Sequence, residues 1–104
     1  MPRTNRSTDS DTTVKERTKT QKPKMYRVLL LNDDFTTMEF VVHILEGIFF
    51  KSPAEATQIM LQVHKNGRGV AGIFSKQIAE AKIEQVHQLA QSEGFPLKCD
   101  MEEA

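Results

Sequence analysis

The run Leu29-Leu30-Leu31-Asn32-Asp33-Asp34-Phe35-Thr36-Thr37-Met38-Glu39 leaves few local structures open: an apolar, strand-like stretch stops in a polar turn, and a helix begins beyond it. Thr36 stands three residues before Glu39, the spacing of a capping box. That spacing predicts Thr36 as N-cap, Glu39 reaching back to its backbone N–H, and a helix running from Thr37 to about Phe49. Asn32, Asp33 and Asp34 then lie in the strand-to-helix loop, an amide and two carboxylates beside an apolar surface of Leu30, Met38 and Val41. A polar rim next to an apolar depression is how small binding sites are built.

The flanking chain supplies a fold around this junction. Met25–Leu31 is a strand whose continuous apolarity at its end predicts burial on both faces and a central place in its sheet. Val41, Ile44, Leu45 and Ile48 form the inner stripe of the first helix, and Gly47 weakens its last turn. Ser52-Pro53-Ala54-Glu55 is a second capping box with proline at the first helical position. The helix it opens carries Ala56, Ile59, Met60 and Val63 inward and ends at Asn66-Gly67, where a left-handed residue is tolerated. Arg68–Phe74 reads as a strand whose Gly69, Ala71 and Gly72 keep side chains small for a close neighbour. Ser75 can cap a third helix, Lys76–Glu93, with Ala79, Ile83, Val86 and Ala90 on one stripe, Leu89 at its flank, and Gly94 and Pro96 as terminators. Leu97–Glu102 alternates apolar and polar, the period of a half-buried strand. The order β-α-α-β-α-β predicts a small two-layer α+β sandwich, three helices on one face of a three-stranded antiparallel sheet.

At 104 residues the chain supports one domain with a core near the lower limit for folding unaided. Cys99 is alone, which precludes an internal disulfide and suits a reducing cytoplasm. No apolar run approaches the ~18–20 residues needed to span a bilayer. Net charge is zero but uneven: residues 1–24 carry seven basic and three acidic side chains, the remainder seven and eleven. The first 24 residues offer only Val14 and Met1 for burial before Pro23-Lys24 and read as a disordered basic tail ahead of a core domain at 25–104. They lack the apolar segment of a secretory signal, and Asp9, Asp11 and Glu16 argue against an organellar transit peptide. Without interleaved aromatics, the tail is a poor nucleic-acid binder.

Residue chemistry alone leaves two readings of the site open. His64, one turn after Met60 and beside Val63, can hold its imidazole at the rim of a cavity, or be a basic group favoured by the C-terminal end of the helix dipole. Asp33 and Asp34 can be ligands, or acidic groups stabilised by the following helix N-terminus. Met38, Met60 and Leu97 can line a pocket or belong to the core.

The junction resembles the signature of the ClpS family, adaptors that bring substrates bearing bulky hydrophobic N-terminal residues to the ClpA-type AAA+ unfoldase of a bacterial protease. The resemblance runs through Met25-Tyr26-Arg27-Val28, the Asn32–Val41 run, Ala56–Leu61, Val63-His64, Gly69–Phe74, Ile78-Ala79-Glu80, Lys82 and Pro96–Cys99, without an obvious gap over residues 25–104. The topology also resembles the C-terminal domain of the ribosomal stalk protein, so fold alone does not choose a function. Membership in the ClpS family would imply that Asn32, Asp34 and His64, with Asp33 in the same motif, hold the α-amino group of a substrate. Leu30, Leu31, Thr36, Met38, Val41, Met60, Val63 and Leu97 would form the pocket for its first side chain, which would be Leu, Phe, Tyr or Trp. Met38 would be a gatekeeper against branched Cβ atoms. Gln77, Glu80 and Lys82 would touch the N-terminal domain of the unfoldase, Gln77 standing where some relatives have an acidic residue. The tail would be engaged by the unfoldase during handover. The resemblance implies a monomer with no cofactor or metal and no nucleic-acid or membrane partner.

Two other functions compete. An enzyme built on Asn32, Asp33, Asp34 and His64 would want a nucleophile and base at recognisable spacing, a Cys cluster or a His-x-x-x-His pair, and the sequence has none; His43 and His87 read as surface or flank residues of other helices. A ribosome-associated module of the same fold is the remaining alternative.

Overall fold

The computed structural model describes residues 22–104, so the disorder expected of the tail lies, for residues 1–21, outside the described residues. The elements are β1 (Met25–Leu31), α1 (Met38–Gly47), α2 (Pro53–Asn66), β2 (Arg68–Ser75), α3 (Lys76–Glu93) and β3 (Lys98–Glu103), in the order expected. The strands form one antiparallel sheet in the order β2-β1-β3, which makes β1 central.

Helix starts follow side-chain capping. Ser52 and Glu55 make the predicted reciprocal box, with Ser52 N–H donating to Glu55 Oε1 at 3.1 Å and Glu55 N–H to Ser52 Oγ at 3.2 Å. The backbone and side-chain bonds from Ser52 hold the Glu55 carboxyl below its ordinary range. α2 ends on Gly67 at φ +89° and α3 on Gly94 at φ +80°, both left-handed. Ser75 occupies the N-cap of α3 with extended backbone, but its hydroxyl makes no capping bond.

The first helix differs from expectation at both ends. Its N-cap is Thr37, whose hydroxyl accepts from Phe40 N–H at 3.1 Å; Thr36 lies outside, drawn back to the Asp33 carboxylate. A carboxylate is the stronger acceptor, and three residues upstream it captures both the Thr36 N–H and its hydroxyl proton. The helix stops at Gly47 with Ile48 as C-cap, two residues short of Phe49.

The three helices cover one face of the sheet. Val28, Leu30, Ile44, Leu45 and Val86 are fully buried between the layers, each contributing roughly 1.5–3 kcal/mol relative to exposure. Leu29, pointing to the opposite face between Val70 and Asp100, is nonetheless buried, in keeping with the continuous apolar run. β2 carries one extra residue opposite the Val28–Leu29 step, so that Val28 pairs with Gly72 and Leu29 with Val70. A Cβ at Gly72 of β2 would meet the Phe74 ring, whereas Gly69 has the close neighbour expected of it: a Cβ there would lie 2.9 Å from Val63 Cγ2 and 3.2 Å from the Ile59 carbonyl oxygen. The backbone of α2 therefore rests almost directly on β2. No described helix is long and apolar enough to cross a membrane.

Candidate functional site

The chain leaving β1 is tied at once to the end of α2, where Asn32 N–H donates to the Gly67 carbonyl at 2.9 Å. That bond, together with the close seating of α2 on Gly69, brings the β1–α1 loop against the last turns of α2. Between them lies a cavity of about 220 Å³ lined by Asn32, Asp33, Asp34, Thr36, Met38, Val41, Met60, Val63 and His64. Drug-sized ligands occupy clefts of roughly 300–1,000 Å³, so this one suits a single side chain.

The lining is layered. Val41 from α1 and Val63 from α2 are buried and form the floor, with half-buried Met60 beside them. Asn32, Asp34 and His64 are exposed on the rim, and Met38 stands 44% exposed at the mouth. Val63 and His64 are consecutive on α2, so one faces inward while the next turns toward the edge, and Met60 lies one turn earlier on nearly the same side. A carboxamide oxygen, a carboxylate and an imidazole nitrogen thus ring an apolar hole; each can accept hydrogen bonds.

The loop is shaped by Asp33. Its Oδ1 accepts from Phe35 N–H at 2.8 Å and Thr36 N–H at 2.7 Å, while Thr36 Oγ1 donates to Oδ2 at 2.7 Å. Partial burial pushes the Asp33 carboxyl up, but the bonds from the Thr36 side chain and the Thr36 and Phe35 backbone outweigh it and hold the group below its ordinary value.

The structure brings together nine of the twelve positions expected at the amine and side-chain subsites and leaves three out. Leu30 is fully buried on the helix-facing side of the central strand, and Leu97 is 3% exposed in the core just before β3. Leu31, pointing to the other face of the sheet, is half-buried away from the cavity. All three were expected at the pocket from the family resemblance, Leu30 also from its place beside the loop, whereas packing against the sheet layer decides where an apolar side chain goes.

Gln77, Glu80 and Lys82 do not line the cavity. Gln77 and Glu80 are exposed on the first turns of α3. Lys82 is half-buried, its Nζ donating to the Ile48 carbonyl at 2.6 Å and lying 4.7 Å from the Phe50 ring centroid. No sequence signal announced this pairing across 34 positions, nor the left-handed Phe50 (φ +55°) that it accompanies. His87 is more than a flank residue: its Nε2 accepts the Cys99 N–H at 3.1 Å, joining α3 to the edge of β3. His43 is exposed on α1, as expected.

Comparison with known proteins converges on one family. The model described as ATP-dependent Clp protease adaptor protein ClpS matches residues 21–100. The ATP-dependent Clp protease adapter protein ClpS of Desulfatibacillum aliphaticivorans is 61% identical over 84 residues, covering 81% of each chain. Its counterpart in Clostridium acetobutylicum is 51% identical over 96 residues, 92% of this chain and 95% of that one. Among solved structures, Agrobacterium tumefaciens ClpS2 bound to L-phenylalaninamide matches with a TM-score of 0.77 at 36% identity, covering 80% of this chain and 100% of that one.

Proposed function

The chain belongs to the ClpS family of Clp protease adaptors, and from that premise we propose that its cavity captures the free α-amino group and bulky hydrophobic first side chain of substrate proteins for delivery to a ClpA-type unfoldase. The observation that carries this reading is the juxtaposition of acceptors on Asn32, Asp34 and His64 with the apolar floor of Val41, Met60 and Val63. A protonated N-terminal amine has three N–H donors and no acceptor, so its host must present acceptors only: a carboxamide oxygen, a carboxylate and a neutral imidazole nitrogen satisfy it. An internal residue offers one amide N–H and a chain that continues backwards into the rim. It would cover acceptors without pairing them, at about 1–3 kcal/mol for each group so cut off from water.

The side chain supplies the second contribution, roughly 1.5–3 kcal/mol for burying Leu or Phe. Neither contribution alone gives tight binding. L-phenylalaninamide, bound by the Agrobacterium relative, has both a free α-amine and a benzyl side chain, which supports the same division of labour here. Gln77 and Glu80, exposed on the first turns of α3, and the half-buried Lys82 lie outside the cavity and leave adaptor and substrate surfaces usable together; we assign this part of α3 to the unfoldase.

Fluorescence anisotropy with peptides that differ only at residue one tests the reading. Peptides beginning with Leu, Phe, Tyr or Trp bind, and the same peptides acetylated at the amine lose at least about tenfold in affinity, the equivalent of about 1.4 kcal/mol. Equal affinity for free and acetylated peptides refutes it.

A further inference from the structure

Asp33 lies in the cavity wall beside Asp34, yet the two carboxylates are in different circumstances. An ionised carboxylate has about four lone-pair sites. Three of those on Asp33 are committed to its own loop, to Phe35 N–H, Thr36 N–H and Thr36 Oγ1, all at 2.7–2.8 Å. Asp34 is exposed on the rim and takes no part in that knot. The knot also settles where α1 begins, because it withdraws Thr36 from the capping position and leaves Thr37 to bond Phe40 N–H. From one side it therefore fixes the three-residue arc on which Asp34 sits; from the other, Asn32 N–H fixes the arc to α2 through Gly67.

We propose that Asp33 is a positioning residue, which holds the β1–α1 loop in the shape that presents Asn32 and Asp34, and that it does not itself bind the substrate amine. The proposal rests on the amine-binding reading given above. It separates two adjacent aspartates that sequence alone treats alike: negative charge is essential at Asp34 and dispensable at Asp33. What Asp33 requires is an acceptor for two backbone N–H groups and a partner for the Thr36 hydroxyl. Asparagine meets both demands, since its amide oxygen accepts from the backbone and its NH₂ donates to Thr36 Oγ1. Alanine meets neither.

The experiment compares Asp33→Ala, Asp33→Asn and Asp34→Asn in the full chain, with free and acetylated Phe-initiated peptides and with backbone amide exchange at Phe35 and Thr36. Asp33→Ala loses exchange protection at both amides and at least about tenfold in affinity for the free peptide, and Asp33→Asn restores the protection and recovers affinity to within about threefold of the original protein. Asp34→Asn keeps both amides protected and still loses at least about tenfold. If Asp33→Asn binds as poorly as Asp34→Asn while its amides stay protected, the charge of Asp33 acts on the ligand and the proposal is overturned. Wild-type affinity in Asp33→Ala overturns it too. Should Asp33→Ala fail to fold, the Asp33→Asn comparison decides alone. Equal binding of free and acetylated peptides by the unsubstituted protein would instead refute the amine-binding reading, and the amide exchange of the two Asp33 variants would still report whether Asp33 shapes the loop.

Discussion

At the mouth of the cavity Met38 stands 44% exposed, above a floor made by Val41 and Val63. In the proposed complex the substrate amine is held at the rim, so Cβ is the side-chain atom whose position is least free, and an added methyl there cannot move away from Met38. Met38→Ala gains affinity for peptides beginning with Ile or Val while keeping Leu and Phe; unchanged discrimination in the same titration would remove Met38 from the role of gatekeeper. The lowered carboxyl of Asp33 has a consequence for acid stability. Its contribution is fully present above the unfolded value near 3.8 and is lost as pH falls through the lower folded value. Denaturant unfolding of Asp33→Asn therefore shows a shallower loss of stability below about pH 4 than the original protein. Cys99 behaves oppositely: burial, and then the neighbouring Asp100, push its thiol up to about 12. At pH 8 it is a thiol and inert to alkylation until the domain unfolds, which mass spectrometry of iodoacetamide-treated native and denatured protein would reveal.

Elements carry the next set of consequences. Adding a methyl at Gly69 puts a Cβ 2.9 Å from Val63 Cγ2 and 3.2 Å from the Ile59 carbonyl, and the backbone half of that contact cannot yield without moving α2. Gly69→Ala costs about 1–3 kcal/mol of stability and, because Met60, Val63 and His64 ride on α2, weakens peptide binding as well. A variant that unfolds more easily yet binds normally would show that the cavity does not depend on this seating. Ser52→Ala, by contrast, removes a cap far from the cavity and costs about 0.5–2 kcal/mol of stability with peptide affinity retained. Much of this level was legible beforehand. The Ser52–Glu55 box, the Gly67 and Gly94 ends and the periodic stripes all act within a few residues, so they leave their mark in the sequence. Thr36 was misassigned for an equally local reason: two adjacent threonines could each cap α1, and the nearby carboxylate of Asp33 decided between them.

In the molecule as a whole, the surfaces proposed for capture and delivery are separate, the cavity between the β1–α1 loop and α2, and the start of α3. Removing residues 1–24, or replacing Gln77, Glu80 and Lys82, leaves peptide affinity intact and impairs degradation of a Phe-initiated substrate by unfoldase and protease; equal loss in both assays would merge the two surfaces. The sequence by itself determined the order of elements, the central place of β1 and the polar loop that faces the site, because hydrophobic period and capping chemistry are properties of neighbouring residues. It also grouped Asn32, Asp34 and His64 through their resemblance to a known pattern. Only the tertiary structure decided which apolar residues meet the cavity: Leu30, Leu97, Val41 and Val63 are all buried in one core, and of these Val41 and Val63 also line the cavity floor, a difference set by the packing of helices on the sheet. The bond from Asn32 to Gly67 was likewise invisible in composition or spacing, because it joins distant parts of the chain and depends on where a loop is held in three dimensions; the knot around Asp33 is local, but spacing alone does not choose between it and a Thr36 cap.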